Sequence, residues 1–176
     1  EDAFWPQDPS IQRAVAGGVT TIQVLPGSAN LMGGRGAVLK LHPRRESHAM
    51  RFPGAKDSLK MACGENPKRV YGKHRNSMPK SRMGSIFLMR KQWVEARRYR
   101  HQWVNWRQKK TRITDGREVP IPPPKRDLVL ETLADVLDGK ILVHVHCYRA
   151  DEMLLQLRIA DEFGFKIRSF HHAVEA

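Results

Sequence analysis

The sequence predicts an α/β fold built on parallel strands. Three observations point there. Two apolar runs with strand character, "KILVHV" at 140–145 and "FKIRSF" at 165–170, lie close together in the chain. The segment between them, "RADEMLLQLRIADEFG", has helical spacing and closes on Gly164, a residue suited to ending a helix. Strands and helices alternate through the second half in units of about 30 residues, the length of a βαβ unit. A doubly wound sheet and a (β/α) barrel both satisfy this alternation.

The elements follow in order. Asp8-Pro9-Ser10 starts a helix, and "IQRAVAGG" continues it to Gly17-Gly18. "VTTIQVL" is β-branched and apolar, a buried strand by composition. "PGSANLMGGRG" reads as a long loop of glycines and small polar residues, and "AVLKL" as a second strand. "SLKMACGE" is a third strand, with Leu59, Met61, Cys63 and Glu65 on one face by two-residue alternation. "NPKRVYGKHRNSMPK" carries turn residues and no period. From Ser81 to about Lys110, Ile86, Met89, Trp93, Ala96, Tyr99, Trp103 and Trp106 recur at steps of three and four, the stripe of a long amphipathic helix. "TDGREVPIPPPKR" breaks it as a loop or a short polyproline piece. "DLVLETLADVLDG" is a helix, opened by Asp127 and closed by Gly139.

The chain has 176 residues, 40% of them hydrophobic, which suits one globular domain. No apolar run approaches the roughly 20 residues that span a bilayer. The net charge of +13 invites a nucleic-acid reading, but its distribution is uneven. Between Pro67 and Arg126 there are 18 Lys and Arg against 3 acids; elsewhere 13 basic residues face 15 acidic ones. The basicity therefore belongs to one segment, read here as a basic helical insertion over 73–125 in a single 1–176 unit. No GxGxxG or GxxxxGK[ST] phosphate motif occurs, and "GGRG" is a tight turn. Cys63 and Cys147 make no disulfide framework and leave the compartment open. The chain starts at Glu1 without a signal segment and stops soon after its last strand, so the expectation is a piece of something longer.

In α/β folds, ligands bind at the carboxyl ends of parallel strands. His146 and His172 fall at two such ends, and Glu65 is read as ending a third. Two imidazoles and a carboxylate suit a borderline divalent metal. His144 lies on the same strand face as His146, either as a further ligand or as a satisfied polar group beneath the site.

"AVAGGVTTIQVLPGSANLMGGRG", "LKMACGENPKRVYG", "VHVHCYRADEMLLQLRIADEFGFKI" and "HHAVEA" together resemble the metal-dependent amidohydrolase superfamily, in particular its imidazolonepropionase-like branch. The resemblance covers most of the chain and is weakest between about 74 and 124. It implies a (β/α)8 TIM barrel with a metal centre at the C-terminal mouth, and hydrolysis of a C–N bond in a small amide, cyclic amide or peptide-like substrate. By position, His146 resembles the ligand of the fifth barrel strand and His172 that of the sixth, with His171 not separable from it by alternation. Glu65, or else Lys68, falls where the superfamily places a group bridging two ions. Tyr148 and Arg149 follow the first ligand toward the mouth and are candidate substrate contacts; for Arg149 an ion pair with the following helix is the competing reading. The cofactor expected is a divalent metal, zinc by ligand type, as one or two ions.

The family pattern also calls for a His-x-His pair on the first strand and a general-base aspartate on the eighth, and neither occurs in 1–176. The expectation is thus a partial barrel lacking its first strand and last two, inactive alone, with a homo-oligomer compatible with the whole. Two rivals stand beside it: a nucleic-acid binder using 67–126, and an inactive relative of the enzyme. The tryptophans argue against the first, because they share the apolar stripe rather than the charged face.

Overall fold

The computed structural model describes residues 2–176. Helix α1 (Ser10–Ala16) leads into β1 (Thr21–Val24) and β2 (Met32–Lys40), an antiparallel pair. A 3-10 turn, His48–Met50, precedes β3 (Ser58–Ala62), which runs antiparallel to β2. The short α2 (Glu65–Lys68), a π-helical turn (Arg69–His74) and the long α3 (Arg82–Gln108) follow. Strands β4 (Thr111–Thr114) and β5 (Arg117–Pro120) form a separate hairpin. Then come α4 (Leu128–Leu137), β6 (Leu142–Cys147), α5 (Ala150–Phe163) and β7 (Ile167–His172).

The main sheet has the order β1-β2-β3-β6-β7, with β3, β6 and β7 mutually parallel. It is a mixed α/β arrangement in which the sheet curls into a half-barrel. One contact measures the curl: Gln23 on edge strand β1 brings its amide nitrogen to 3.2 Å from His144 Nε2 on β6, three strands along. A flat sheet spaces neighbouring strands about 4.8 Å apart and keeps such residues far beyond reach.

Alternation along β3 and β6 separates two environments. Leu59 and Met61 of β3 and Val143 and Val145 of β6 face the helices and are at most 1% exposed. They pack against Met89, Trp93 and Ala96 of α3, Leu133 and Val136 of α4, and Ile159, Ala160 and Phe163 of α5. Lys60, His144 and His146, at the alternate positions, face the concave side and are also buried. A second cluster, Ile11, Ala37, Leu39, Leu41 and Met50, seats α1 against the antiparallel strands.

Helix ends follow from local chemistry. Ser81 Oγ accepts from the Gly84 amide at the start of α3, and the Asp127 carboxylate accepts from the Val129 and Leu130 amides at the start of α4. Gly164, at φ 78°, closes α5 in the left-handed conformation. The long helix has the expected stripe: Trp93 is fully buried and stacks on Phe165 at 4.3 Å between centroids. Trp103 meets Trp106 edge-on at 5.6 Å, and Trp106 donates to the Ile121 carbonyl at 2.8 Å.

Four local expectations are corrected. Strand β1 is not buried, because it is the edge of the sheet and alternates between exposed and half-buried. The glycine-rich stretch before 37 is not all loop: β2 already begins at Met32. Its glycines admit close strand contact, since a Cβ on Gly36 would lie 2.5 Å from the Val24 carbonyl oxygen. The stretch opening with "TDG" is half of the β4–β5 hairpin, whose two-residue turn sets Asp115 at φ 51° and Gly116 at φ 72°. Asp-Gly is the sequence signal of that turn, here masked by the prolines that follow. Cys63 and Cys147, finally, are joined as a disulfide. Parallel pairing of Ala62 with His146 brings the next residues of the two strands to 5.3 Å between Cα atoms, a proximity hidden by 84 residues of sequence.

Trp93→Ala removes the largest fully buried side chain at the centre of this core. We expect a loss of about 3–5 kcal/mol in unfolding free energy by urea titration; a loss under about 1 kcal/mol shows that the α3 stripe does not stabilise the sheet.

Candidate functional site

The strand ends of β3, β6 and β7 meet on the concave face. In register, Ala62, His146 and His171 lie side by side, as do Lys60, His144 and Ser169 one step below. Alternation places His171 on the face of His144 and His146. His172 escapes alternation because its backbone turns left-handed, at φ 70°, as β7 ends. Its ring thereby comes to 4.6 Å from that of His146, inclined by 65°. Tyr148 sits edge-on to His146 at 4.6 Å and lies 5.9 Å from His172.

The histidines form two groups. In the lower one, His144 Nδ1 lies 3.0 Å from His171 Nε2 and 2.8 Å from Ser169 Oγ, while its Nε2 meets Gln23. Both nitrogens of His144 are thus engaged. In the upper one, His146 Nε2 lies 3.0 Å from the Asn66 side-chain nitrogen. His146 Nδ1 is buried and has no hydrogen-bond partner. A buried ring nitrogen without a partner is costly unless a ligand takes it. With the His172 ring beside it, this unpartnered nitrogen fits a divalent cation held by imidazoles.

Burial and neighbouring positive charge favour the neutral form of three of these imidazoles. Burial pushes the His146 pKa down to about 4, helped by the neighbouring charges of His172, Lys60 and His171. Burial likewise lowers His144 and His171 below the ordinary histidine value. Neutral imidazoles are the form that binds metal. Lys60 is itself lowered by desolvation, and its ammonium donates to Ser28 Oγ at 3.1 Å and the Pro26 carbonyl at 3.3 Å.

The other expected residues are placed differently. Glu65 does not end β3: that strand stops at Ala62, Gly64 turns at φ 71°, and Glu65 begins α2. Gly64 is required there, because a Cβ would lie 2.6 Å from Glu152 Oε2. The Glu65 carboxylate is half exposed, paired with Lys68 at 3.1 Å and Arg82 at 3.7 Å, and its pKa is lowered chiefly by Lys68. Lys68 is therefore engaged with Glu65 rather than with the histidines. Arg149 precedes α5 and grips Asp151 through two bonds of 2.9 and 2.8 Å, the helix ion pair rather than a free contact. Behind the sheet, Cys63, Cys147 and Glu152 bring three donor atoms within 4.8 Å of one another. Those donors are committed: the sulfurs to each other, and Glu152 to Arg82 at 2.8 Å.

Sequence reasoning missed Lys60, Asn66, Gln23 and Ser169. Lys60 was legible as the one charged residue inside "SLKMA", at the alternate position to Leu59 and Met61. Asn66, Gln23 and Ser169 carried no such signal, since their roles depend on curl and register.

The depressed His146 pKa has a consequence for stability. Its unfolded value is about 6.5 and its folded value about 4, so between these the unfolded chain binds more protons. Stability therefore falls as pH drops from 6.5 toward 4, by up to about 1.4 kcal/mol per pH unit for this group. We expect His146→Gln to flatten the pH dependence of the denaturation midpoint in that window; an unchanged slope shows that His146 is not held neutral.

No family model matches the chain. A protein named amidohydrolase tasK, from Hapsidospora irregularis, is 34% identical over 184 residues, which take in 99% of this chain and 18% of that protein. The crystal structure of an amidohydrolase from Thermotoga maritima matches with a TM-score of 0.83 at 38% identity, over 97% of this chain and 41% of that one. The chain thus spans less than half the length of either relative. Likeness in sequence and in fold together, over nearly every residue from α1 to the end of β7, places this chain in the amidohydrolase superfamily.

Proposed function

We propose that this chain supplies part of the active site of a hydrolase acting on C–N bonds of amide type, with His146 and His172 as two ligands of a divalent metal centre. The observation that carries it is the pair of adjacent rings at 4.6 Å, one with a buried, unpartnered Nδ1. The names of the two relatives support the bond class. The sequence pattern favours the imidazolonepropionase-like branch and a (β/α)8 barrel, of which β3, β6 and β7 would be consecutive staves.

When bound, the ion supplies Lewis acidity, bringing the pKa of water to about 7 and polarising a substrate carbonyl. The chain's own residues do the rest. His146 presents a neutral imidazole nitrogen from β6, and His172 stands beside it from the neighbouring strand β7. The Val143 and Val145 layer and the helices behind keep those strands rigid. Tyr148, 38% exposed beside both rings, would be a substrate contact in this reading. Glu65 and Lys68 are the candidates for a bridge between two ions, and either would have to give up their mutual ion pair. Zinc is the metal that best suits imidazole donors in this reading. The remaining ligands and the general base would come from outside 1–176.

The nucleic-acid alternative finds no support. Trp93, Trp103 and Trp106 are engaged with protein, and basic residues of α3 are paired, Arg90 with Glu162 at 2.8 Å and Arg100 with Asp138 at 2.5 Å.

In the full-length gene product, we expect elemental analysis to find stoichiometric zinc or a similar divalent ion. His146→Ala should lower both metal content and amide hydrolysis at least 100-fold, with the far-ultraviolet circular dichroism unchanged. Retained activity at unchanged metal content removes His146 from the ligand set and the proposal with it.

A further inference from the structure

The sequence reading of "GENPKRVYG" turned on Glu65 and Lys68, yet the residue between them that touches the histidines is Asn66. Its side-chain amide nitrogen lies 3.0 Å from His146 Nε2. A carboxamide offers two orientations at one position, related by exchange of oxygen and nitrogen, and the hydrogen-bond network decides between them.

The two orientations have opposite consequences for His146. If the Asn66 N–H donates, Nε2 is the acceptor. The single N–H of the neutral ring then sits on Nδ1, which is buried and has no acceptor. A buried donor is left unpaired, and no lone pair remains for a cation. If the Asn66 carbonyl oxygen faces the ring instead, it accepts from Nε2–H. The lone pair of Nδ1 is then free, at the one ring nitrogen that no protein group occupies. The second arrangement gives both nitrogens of the His146 ring a partner once a cation is present.

We propose that Asn66 is a positioning residue: its side-chain oxygen accepts from His146 Nε2–H, fixes the ring in the Nε2–H tautomer, and thereby dedicates Nδ1 to the metal. The inference rests on the metal-centre reading above and deepens it. The local fold supports the role. Gly64 makes the turn that ends β3, α2 starts one residue later, and Asn66 stands in its first turn beside buried Pro67. The Cys63 amide donates to the His146 carbonyl at 2.9 Å, so the backbones that carry Asn66 and His146 are tied together three residues from the contact. Orientation of a ligand imidazole through its second nitrogen tunes metal affinity by 10- to 100-fold, by the general behaviour of such partners.

The test uses the full-length gene product with 15N-labelled histidine. Long-range 1H–15N correlation of the metal-free protein reads the tautomer of His146 directly, assigned by its loss in His146→Gln. We expect Nε2–H. Zinc affinity is then measured by chelator competition for wild type, Asn66→Asp and Asn66→Leu. Asp keeps an acceptor and should hold affinity within about 3-fold; Leu removes it and should weaken binding about 10- to 100-fold. An Nδ1–H tautomer in the wild type overturns the proposal, as does a Leu variant that melts normally and binds zinc as tightly as wild type. An Asp variant as weak as Leu shows that Asn66 donates, and overturns it too. If the Leu variant fails to fold, the tautomer and the Asp variant still decide. A wild type that binds no zinc defeats the metal-centre reading, and the tautomer then reports on Asn66 alone.

Discussion

Everything at the concave face depends on strand β6 being hydrogen-bonded on both sides by parallel neighbours. Between β3 and β7 the strand has no freedom of register, since a slip of one residue would send Val143 and Val145 inward and His144 and His146 into the helices. The cost of burying two imidazoles is carried by that valine layer, which closes against α3, α4 and α5. The same strand thus sets the core on one side and the polar face on the other.

The second requirement is curvature. His144 finds Gln23 only because the antiparallel part of the sheet bends back over the parallel part. That contact joins the first strand of the chain to the fourth in the sheet and keeps the lower pair of histidines, His144 and His171, separate from the upper pair. Stacking of the pairs in two layers gives the upper one a polar, already satisfied floor.

Much of this was legible. The order of helices and strands in the second half, the extent of α3 and the strand-end position of His146 and His172 all followed from period and punctuation. What failed did so for identifiable reasons. Alternation started at Leu59 carries Glu65 into the strand, because two-residue periodicity does not itself mark where a strand stops; Gly64 is the residue that marks it. The β4–β5 hairpin was lost under its neighbouring prolines. The Cys63–Cys147 link and the Asn66, Gln23 and Ser169 contacts are products of register between segments far apart in sequence, which no local pattern encodes.

The exit of β7 has one more implication. His172 and Ala173 both adopt positive φ, a conformation that costs a residue with a Cβ on the order of 1 kcal/mol or more. The expense is met nearby: the Ala173 and Glu175 amides bond to the Cys147 and Tyr148 carbonyls at 3.0 and 3.1 Å, and Glu175 caps the Ala150 amide at 3.1 Å. Glycine would relax this corner at no conformational expense, and its absence is informative. A position that tolerates an ill-suited backbone in order to keep an imidazole has exchanged local ease for the direction in which that ring points, so two histidines adjacent in the chain can serve two different neighbourhoods.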